Sequence, residues 1–260
     1  MSYTLIQLAL DGYVATLTLH RPEKRNAISD HMMDELHGAL DEIERSTTRA
    51  VILAGTGPVF CAGMDLAYLR DASEQSIEEV RHDARKIARL FNRINSFPKP
   101  MVAAVQGAAL AGGCGLATLC DFTLAEPNTQ FGYPEVRVGF IPATISSFVM
   151  RQIGEKRARD LLLSGRPVAA EEARALGLVT EVVPAGKLMA RAREIADSLA
   201  AMSPTALSHT KRLLLRMQEA SLERDIALGV EASAEMRGTA DFREGVAAFL
   251  EKRRPVWTGH

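Results

Sequence analysis

Two periodic patterns of apolar and polar positions occur in the first half of the chain. Alternation at every second position, or a short apolar run bounded by turn residues, predicts a strand, whereas apolar residues three and four positions apart predict a helix. The predicted strands are residues 13–19, 50–54, 101–105, 122–125 and a further strand leading into Glu135. The predicted helices are a Ser29-capped helix through Ile43, a helix from Ile77 that ends near Phe97 before Pro98, and a short helix through Leu119.

The second half follows a different pattern, with one helix after another from about residue 146. The predicted helices are residues 146–153, 156–163, 170–176, 187–201 and 204–217, followed by two more. The chain is therefore predicted to be an α/β protein with a core over residues 1–195 and a helical region over residues 196–260. Amphipathic helices that follow a complete core often pack on a neighbouring subunit, which predicts an oligomerisation region.

Composition and charge narrow the function classes. The 260 residues are 47% apolar, enough for a large core, and 31 basic against 32 acidic residues leave a net charge of -1. No global field favours nucleic acid or an anionic membrane surface, so an anionic ligand has to be held by local groups. The first twenty residues lack the cationic start and apolar block of a secretory signal, and we expect a cytoplasmic protein.

Residues 101–120 carry no charge and approach the length of a membrane-spanning helix, about 20 residues. Four glycines crowd the middle of this segment, which instead favours a buried strand, a tight turn and the start of a buried helix. The three cysteines, Cys61, Cys114 and Cys120, match neither a disulfide framework nor a zinc motif. We expect reduced, buried thiols, no metal and no permanently bound cofactor.

Two glycine-bearing turns each follow a predicted strand, at residues 57–66 and 111–116. Glycine lets the backbone approach a ligand closely, and free N–H groups at a helix start favour negative charge. Two such donors can share one oxygen and stabilise the enolate that forms when the α-carbon of an acyl thioester gains or loses a proton. For residues 111–116 alone, a tight strand-to-helix crossing without a ligand is the alternative.

Glu135 lies in the segment Phe131 to Gly139, beside a proline, two glycines and apolar residues. Apolar surroundings raise the pKa of a carboxyl group towards the range that is useful in acid/base catalysis. An ion pair with nearby Arg137 is the structural alternative.

Read together, these segments resemble the enoyl-CoA hydratase/isomerase (crotonase) family over nearly the whole chain. The order and spacing of several segments carry the resemblance. These are residues 21–27 (RPEKRNA), 60–65 (FCAGMD), 99–121, 131–142, 163–165 with 170–179, and 242–253.

The resemblance implies a ClpP-like spiral of ββα turns with a helical trimerisation region, assembled as a homotrimer or homohexamer. It implies that the substrate is an acyl group carried as a coenzyme A thioester, and it assigns a role to individual residues. The N–H groups of Met64 and Gly112 would form the oxyanion hole, and Glu135 would be the catalytic acid/base. The residues that would line the CoA path or contact its nucleotide end are Lys24, Ala27, Ala62, Asp65, Leu66, Ala67, Phe249 and Lys252.

The chain departs from the two-carboxylate hydratases of the family at one position. Those enzymes place a first glutamate at the helix start after the glycines, where this chain has Gly115. Glycine here, together with residues 135–146, resembles the branch described as methylglutaconyl-CoA or related short-chain enoyl-CoA hydratases. There Glu135 would act on a water held by another polar group, such as Thr118, Thr144 or Ser146.

Hydration of a short or branched 2-enoyl-CoA is therefore predicted, with 3,2-enoyl-CoA isomerisation by the single glutamate as the alternative. Other classes fit less well. A dinucleotide-binding dehydrogenase would need GxGxxG and an acidic residue about 20 positions later, and a cysteine hydrolase would need a histidine placed to activate Cys114. A non-catalytic oligomeric or RNA-binding protein would have only residues 252–254 as a basic cluster.

Overall fold

The strands of the protein divide between two sheets. The computed structural model describes residues 3–65 and 77–259, and all structural statements refer to these residues. The strands in chain order are β1 (Ile6–Asp11), β2 (Val14–Leu19), β3 (Ala50–Gly55), β4 (Met101–Val105), β5 (Ala108–Leu110), β6 (Phe122–Ala125), β7 (Gln130–Gly132), β8 (Val168–Ala169) and β9 (Glu181–Val182).

The larger sheet has the order β1-β2-β3-β4-β6-β9 and the smaller sheet the order β5-β7-β8. All neighbours in the larger sheet are parallel except β1 and β2, which pair as a hairpin. Strands that follow each other in the chain, such as β4 and β5 or β6 and β7, lie in different sheets. Each such ββα unit therefore advances both sheets by one strand, which is the geometry of a spiral.

Helices follow the paired strands along the chain and also form its C-terminal part. They are α1 (Asp30–Arg45), α2 (Ile77–Asn95), α3 (Gly112–Thr118), α4 (Ala143–Ile153), α5 (Glu155–Ser164), α6 (Ala170–Leu176), α7 (Leu188–Ala200), α8 (Pro204–Arg216), α9 (Glu219–Arg237) and α10 (Ala240–Leu250). The hydroxyl group of Ser29 caps α1 by accepting from the N–H of Met32. Short 3₁₀ turns at Pro22–Lys24 and Pro134–Val138 begin with prolines.

The larger sheet is covered on both faces. On one face α1, α3 and α4 pack over the main core, and on the other face α7 lays Leu188, Ala192 and Ala196 against Ile52 and Val102. Such burial explains why β3 and β4 are continuously apolar instead of alternating. The boundary expected after residue 195 falls inside α7, a helix that packs on the sheet over its whole length.

Most predicted elements are confirmed to within three residues, and 101–105, 122–125 and 170–176 are reproduced without change. Strand β1 was not predicted separately, and β5, β8 and β9 are only two or three residues long, too short for a period to be recognised. The uncharged stretch 101–120 contains β4, β5 and α3. In the described part of the chain no helix has the length and apolar character needed to cross a bilayer.

Candidate active site

The two glycine-bearing turns lie against each other. Cys61 and Ala109 pair as a parallel bridge, with the N–H of Leu110 donating to the carbonyl of Cys61 at 3.0 Å. A methyl group on Gly113 would lie 2.4 Å from that same carbonyl oxygen, so only glycine fits where α3 begins. Gly63 turns the first loop with φ +97°. These contacts fix the start of α3 on the loop that precedes Met64.

The backbone amides of Met64 and Gly112 are available to a ligand. No carbonyl or side chain in residues 3–65 and 77–259 accepts a hydrogen bond from either N–H. A methyl group on Gly63 would lie 3.5 Å from Gly112 N, and one on Gly112 would lie 3.8 Å from the Met64 sulfur, so the two turns are in contact at this point. Ala111, just before Gly112, has φ 49°, a strained backbone of the kind that concentrates at functional sites.

Asn26 fixes the first turn from behind. Its side chain is fully buried, and its amide group donates to the carbonyls of Thr56, Val59 and Phe60 at 2.8 to 3.0 Å. Its carbonyl oxygen accepts from the N–H of Arg21 at 2.8 Å. Four hydrogen bonds from one side chain hold a loop that otherwise has little regular structure. Asn26, which follows the RPEKR segment, therefore holds the loop in place. The sequence alone did not reveal this role.

Glu135 is held by the 3₁₀ turn Pro134–Val138, which begins after the fully buried Tyr133 and ends at Gly139 with φ 65°. Its side chain is almost completely buried, with 9% of the residue exposed, and its Oε2 has no hydrogen-bond partner among the described residues. No ion pair to Glu135 occurs there either, so the interpretation of Glu135 as a partner of Arg137 is not supported. Burial raises the pKa of Glu135 to about 7, opposed by a hydrogen bond from its own N–H.

A cavity of about 50 Å³ joins the carboxyl group to the two turns. Its lining residues come from the first turn, α2, α3, the segment from Glu135 to α4, and α9. They are Met64, Ala84, Ile87, Phe91, Gly112, Glu135, Phe140, Ile141, Pro142, Ala143, Thr144, Ile145 and Ser233. The structure therefore brings together the three residues predicted to carry the chemistry. A larger surface groove of about 630 Å³ between α2 and α9 is lined by none of the three.

The position of the missing first glutamate is filled by apolar side chains. A methyl group on Gly115 would lie 2.9 Å from Cδ1 of Ile145 and 3.2 Å from the ring of Phe91. Both side chains are buried and line the cavity. The side chains of Ile145 and Phe91 therefore occupy the space that a side chain at position 115 would need.

Of the three polar groups predicted as water holders, only Thr144 faces the cavity. The hydroxyl group of Thr118 donates to the carbonyl of Cys114 at 2.9 Å, and that of Ser146 donates to the carbonyl of Pro142 at 2.5 Å. Ser233 on α9 also lines the cavity, and the sequence did not reveal it because it lies between the recognised segments 170–179 and 242–253 and belongs to neither. Its only local signal is Gly229, one helical turn earlier, where α9 approaches α4 closely.

Several residues predicted for the CoA path lie together beside Met64. The N–H of Ala27 donates to the carbonyl of Lys24, and the N–H of Ala62 to that of Arg25, both at 3.0 Å. Asp65 forms an ion pair with Arg21 at 2.7 Å, which connects the turn to the segment that precedes Lys24. Lys24 is exposed.

The remaining predicted CoA residues are Leu66, Ala67, Phe249 and Lys252. Leu66 and Ala67 lie outside the described residues. Phe249 and Lys252 lie at the end of α10, and no hydrogen bond or ion pair in the described chain links them to residues 21–27. Phe249 is 56% exposed.

Cys114 does not have the surroundings of a nucleophile. It is completely buried beneath the site, and burial raises the pKa of its thiol to about 12. The thiol of Cys61 is buried in the same way. These thiols behave as small core side chains, which argues against a cysteine hydrolase.

Comparison with known proteins agrees with this geometry. The model of the family "Enoyl-CoA hydratase/isomerase" matches residues 10–260. The chain is 45% identical over 245 residues to the "Putative enoyl-CoA hydratase" of Thermus thermophilus, covering 94% of this chain and 97% of the relative. It is 35% identical over 248 residues to the "2,3-dehydroadipyl-CoA hydratase" of Escherichia coli, covering 95% of each.

Among solved structures, an enoyl-CoA hydratase/isomerase from Xanthobacter autotrophicus Py2 superimposes with a TM-score of 0.89 at 32% identity, covering 97% of this chain and 98% of that one. The chain thus belongs to the enoyl-CoA hydratase/isomerase family and has the crotonase fold. It is an enzyme of the hydratase/isomerase type, which overturns the alternatives of a dehydrogenase and of a non-catalytic binding protein.

Proposed function

We propose that this enzyme adds water to a short or branched 2-enoyl-CoA. The observation that carries the proposal is a buried carboxyl group without a partner for Oε2, facing a small cavity that also contains two unused backbone amides. Such an arrangement destabilises the unliganded fold, and groups of this kind concentrate at functional sites. The hydratase names of the two relatives described above favour water addition.

The amides of Met64 and Gly112 would bind the thioester oxygen and stabilise its negative charge in the transition state. Glu135 would take a proton from water as the water oxygen bonds to the β-carbon. The electron pair of the double bond moves towards the thioester to give an enolate, and Glu135 then returns the proton to the α-carbon. A pKa of about 7 suits both steps, since the group gains and loses a proton at little cost near neutral pH.

The small, apolar cavity supports a short acyl group. A volume of about 50 Å³ holds no more than a few waters, and among the described side chains that line it only Glu135, Thr144 and Ser233 can form hydrogen bonds.

Mass analysis of products tests the proposal. The enzyme would be offered 2-enoyl, 3-enoyl and 3-hydroxyacyl thioesters of increasing chain length in deuterium oxide. Hydration adds one water and places a solvent deuterium on the α-carbon. The proposal fails if no 2-enoyl thioester gains the mass of water.

Double-bond migration is the second candidate, because a single carboxylate can move a proton between two carbons with the same oxyanion hole. The apolar contacts around Gly115 favour it, since Glu135 is the one carboxylate among the described residues that line the cavity. In the same assay, isomerisation would convert a 3-enoyl thioester into a 2-enoyl thioester with no gain of water.

The CoA moiety would bind along Lys24, Ala27 and Ala62, with Leu66, Ala67, Phe249 and Lys252 as further predicted contacts. The local cluster beside Met64 supports this path. Lys24→Ala and Lys252→Ala would each raise KM for a CoA thioester and leave KM for the matching pantetheine thioester, which lacks the nucleotide, unchanged. An equal rise for both substrates would count against the assignment.

We further propose a homotrimer or homohexamer built through the helical region. No residue of α8 is buried in the protomer, although Leu213, Leu214 and the following Met217 are large apolar residues that are more than half exposed. Light scattering should give a mass at least three times 28.3 kDa. A stable, active monomer at micromolar concentration would contradict this assembly.

A further inference from the structure

The polar side chains that line the cavity, Glu135, Thr144 and Ser233, differ in their hydrogen bonding from the polar side chains around it. Thr118, Ser146 and Ser147 each donate to a backbone carbonyl, at 2.9, 2.5 and 2.9 Å. Thr144 and Ser233 line the cavity with 7% and 4% of their surface exposed, and neither hydroxyl group has a hydrogen-bond partner among the described residues. Oε2 of Glu135 is buried without a partner among the described residues, and the two hydroxyl groups are free to bind a molecule that enters the same cavity.

Close packing of two helices holds these hydroxyl groups at the cavity. A methyl group on Gly229 would lie 2.7 Å from the carbonyl oxygen of Ala143, so glycine allows α9 to cross directly over the first turn of α4. Ser233 follows one turn later on the same face of α9, and Thr144 is the second residue of α4. Both side chains therefore come from rigid elements and not from a loop.

We propose that Thr144 and Ser233 are positioning residues that hold the attacking water for Glu135, in place of the carboxylate that Gly115 lacks. This inference rests on the proposed hydratase function. A water molecule whose first proton is taken by Glu135 needs an acceptor for its second proton and a donor to one lone pair, while the other lone pair attacks the β-carbon. A hydroxyl group can both accept and donate, so two of them suffice for this task.

The chemistry stays balanced with no further group. The water O–H bond breaks towards Glu135, and the bond from oxygen to the β-carbon forms. The electron pair of the double bond goes to the enolate at the two amides, and Glu135 delivers its proton to the α-carbon. Thr144 and Ser233 exchange no proton in the net reaction, which is why they are assigned to positioning.

Isosteric variants separate positioning from structure. Thr144→Val and Ser233→Ala should each lower kcat for hydration roughly tenfold, and the double variant about a hundredfold, as expected for the loss of one and two hydrogen bonds to the reacting water. KM for the enoyl thioester should change little. Thr144→Ser, which keeps the hydroxyl group, should restore most of the rate. Ser147→Ala on the same helix is the matched control, because its hydroxyl group is bonded to the Thr144 carbonyl and does not line the cavity.

A second readout isolates the water step. Exchange of the α-proton of butyryl-CoA with deuterium oxide requires Glu135 and the two amides but no attack by water. The double variant should retain this exchange while hydration falls. The inference is overturned if the double variant hydrates at close to the wild-type rate, if exchange falls in parallel with hydration, or if Ser147→Ala shows the same loss.

The outcome also distinguishes this inference from the proposed function. Failure of the wild-type enzyme to add water to any 2-enoyl thioester overturns both. Normal hydration by the wild type, abolished in Glu135→Gln but unchanged in the Thr144 and Ser233 variants, overturns only the positioning role.

Discussion

The two walls of the cavity are built in opposite ways. The backbone wall, residues 60–64 and 109–113, consists of main chain packed on main chain, and Asn26 and paired carbonyls satisfy most of its polar groups. The side-chain wall, formed by Glu135, Thr144, Ile145 and Ser233, leaves Oε2 of Glu135 without a partner among the described residues and beside apolar neighbours. The two backbone donors must be held rigidly, which main-chain packing achieves. A carboxyl group that exchanges a proton needs a pKa near the working pH, which apolar surroundings provide.

The largest expected effect is on the side-chain wall. Glu135→Gln keeps the size of the side chain but cannot transfer a proton, so kcat should fall by about 10² to 10⁴, the usual worth of acid/base catalysis. Affinity for a CoA thioester should be nearly unchanged, because the oxyanion donors and the CoA path lie elsewhere. Steady-state kinetics and equilibrium binding measure the two quantities. A variant that turns over its best substrate at close to the wild-type rate would remove Glu135 from the mechanism.

The same carboxyl group should weaken the fold at neutral pH. Burial raises its pKa from 4.5 to about 7, so the folded protein holds the proton more tightly than the unfolded chain. Its contribution to stability is full below about 4.5 and is lost as pH rises to about 7, a change of about 3 kcal/mol. The free energy of unfolding of Glu135→Gln relative to wild type should therefore increase by that amount across this range.

Denaturant unfolding of both proteins at several pH values measures this difference. Activity should follow the opposite direction, because the ionised form takes the proton from water. The hydration rate should fall as pH drops through about 7. A flat profile of relative stability would show that the group does not titrate in this range in the folded state.

Glycines test the backbone wall. Gly113→Ala would place a methyl group 2.4 Å from the carbonyl oxygen of Cys61, and main chain cannot move aside as a side-chain tip can. We expect a loss of about 1 to 3 kcal/mol of stability and most of the activity, because Gly112 moves with it. Gly112→Ala is the matched control, since its methyl group meets side chains no closer than 3.5 Å.

The same control measures how large a side chain the position of Gly112 accepts. The first carbon fits, and only a branched side chain such as valine would extend further among Ile28, Phe91 and Met64. Thermal unfolding and activity of the two alanine variants measure the difference. Equal effects of Gly112→Ala and Gly113→Ala would show that the backbone contact is not what fixes the wall.

The same contrast explains what the sequence could predict. The two glycine turns and Glu135 were predicted because glycine turns and an apolar-flanked carboxylate are local patterns, and the family resemblance assigned Met64 and Gly112 within those turns. The structure places all three residues on one cavity. Asn26 and Ser233 were not, because their roles depend on partners 30 or more residues away in the chain. Short strands such as β8 and β9 exist only because a neighbouring strand is already in place.

The smallest effect concerns Gly115, where the two walls meet. Gly115→Ala improves helix propensity by up to about 1 kcal/mol, but its methyl group would lie 2.9 Å from Cδ1 of Ile145. That atom is the end of a side chain and can shift, so we expect a net loss of only about 1 kcal/mol. Ile145→Val removes Cδ1, and in the double variant the loss should disappear, giving a coupling of about 1 kcal/mol in a double-mutant cycle measured by urea unfolding.

Gly115→Glu should gain no hydration activity alone, since Ile145 and Phe91 occupy the space that its side chain needs. Strictly additive stabilities, or faster hydration by Gly115→Glu with Ile145 intact, would show that these side chains do not close the position.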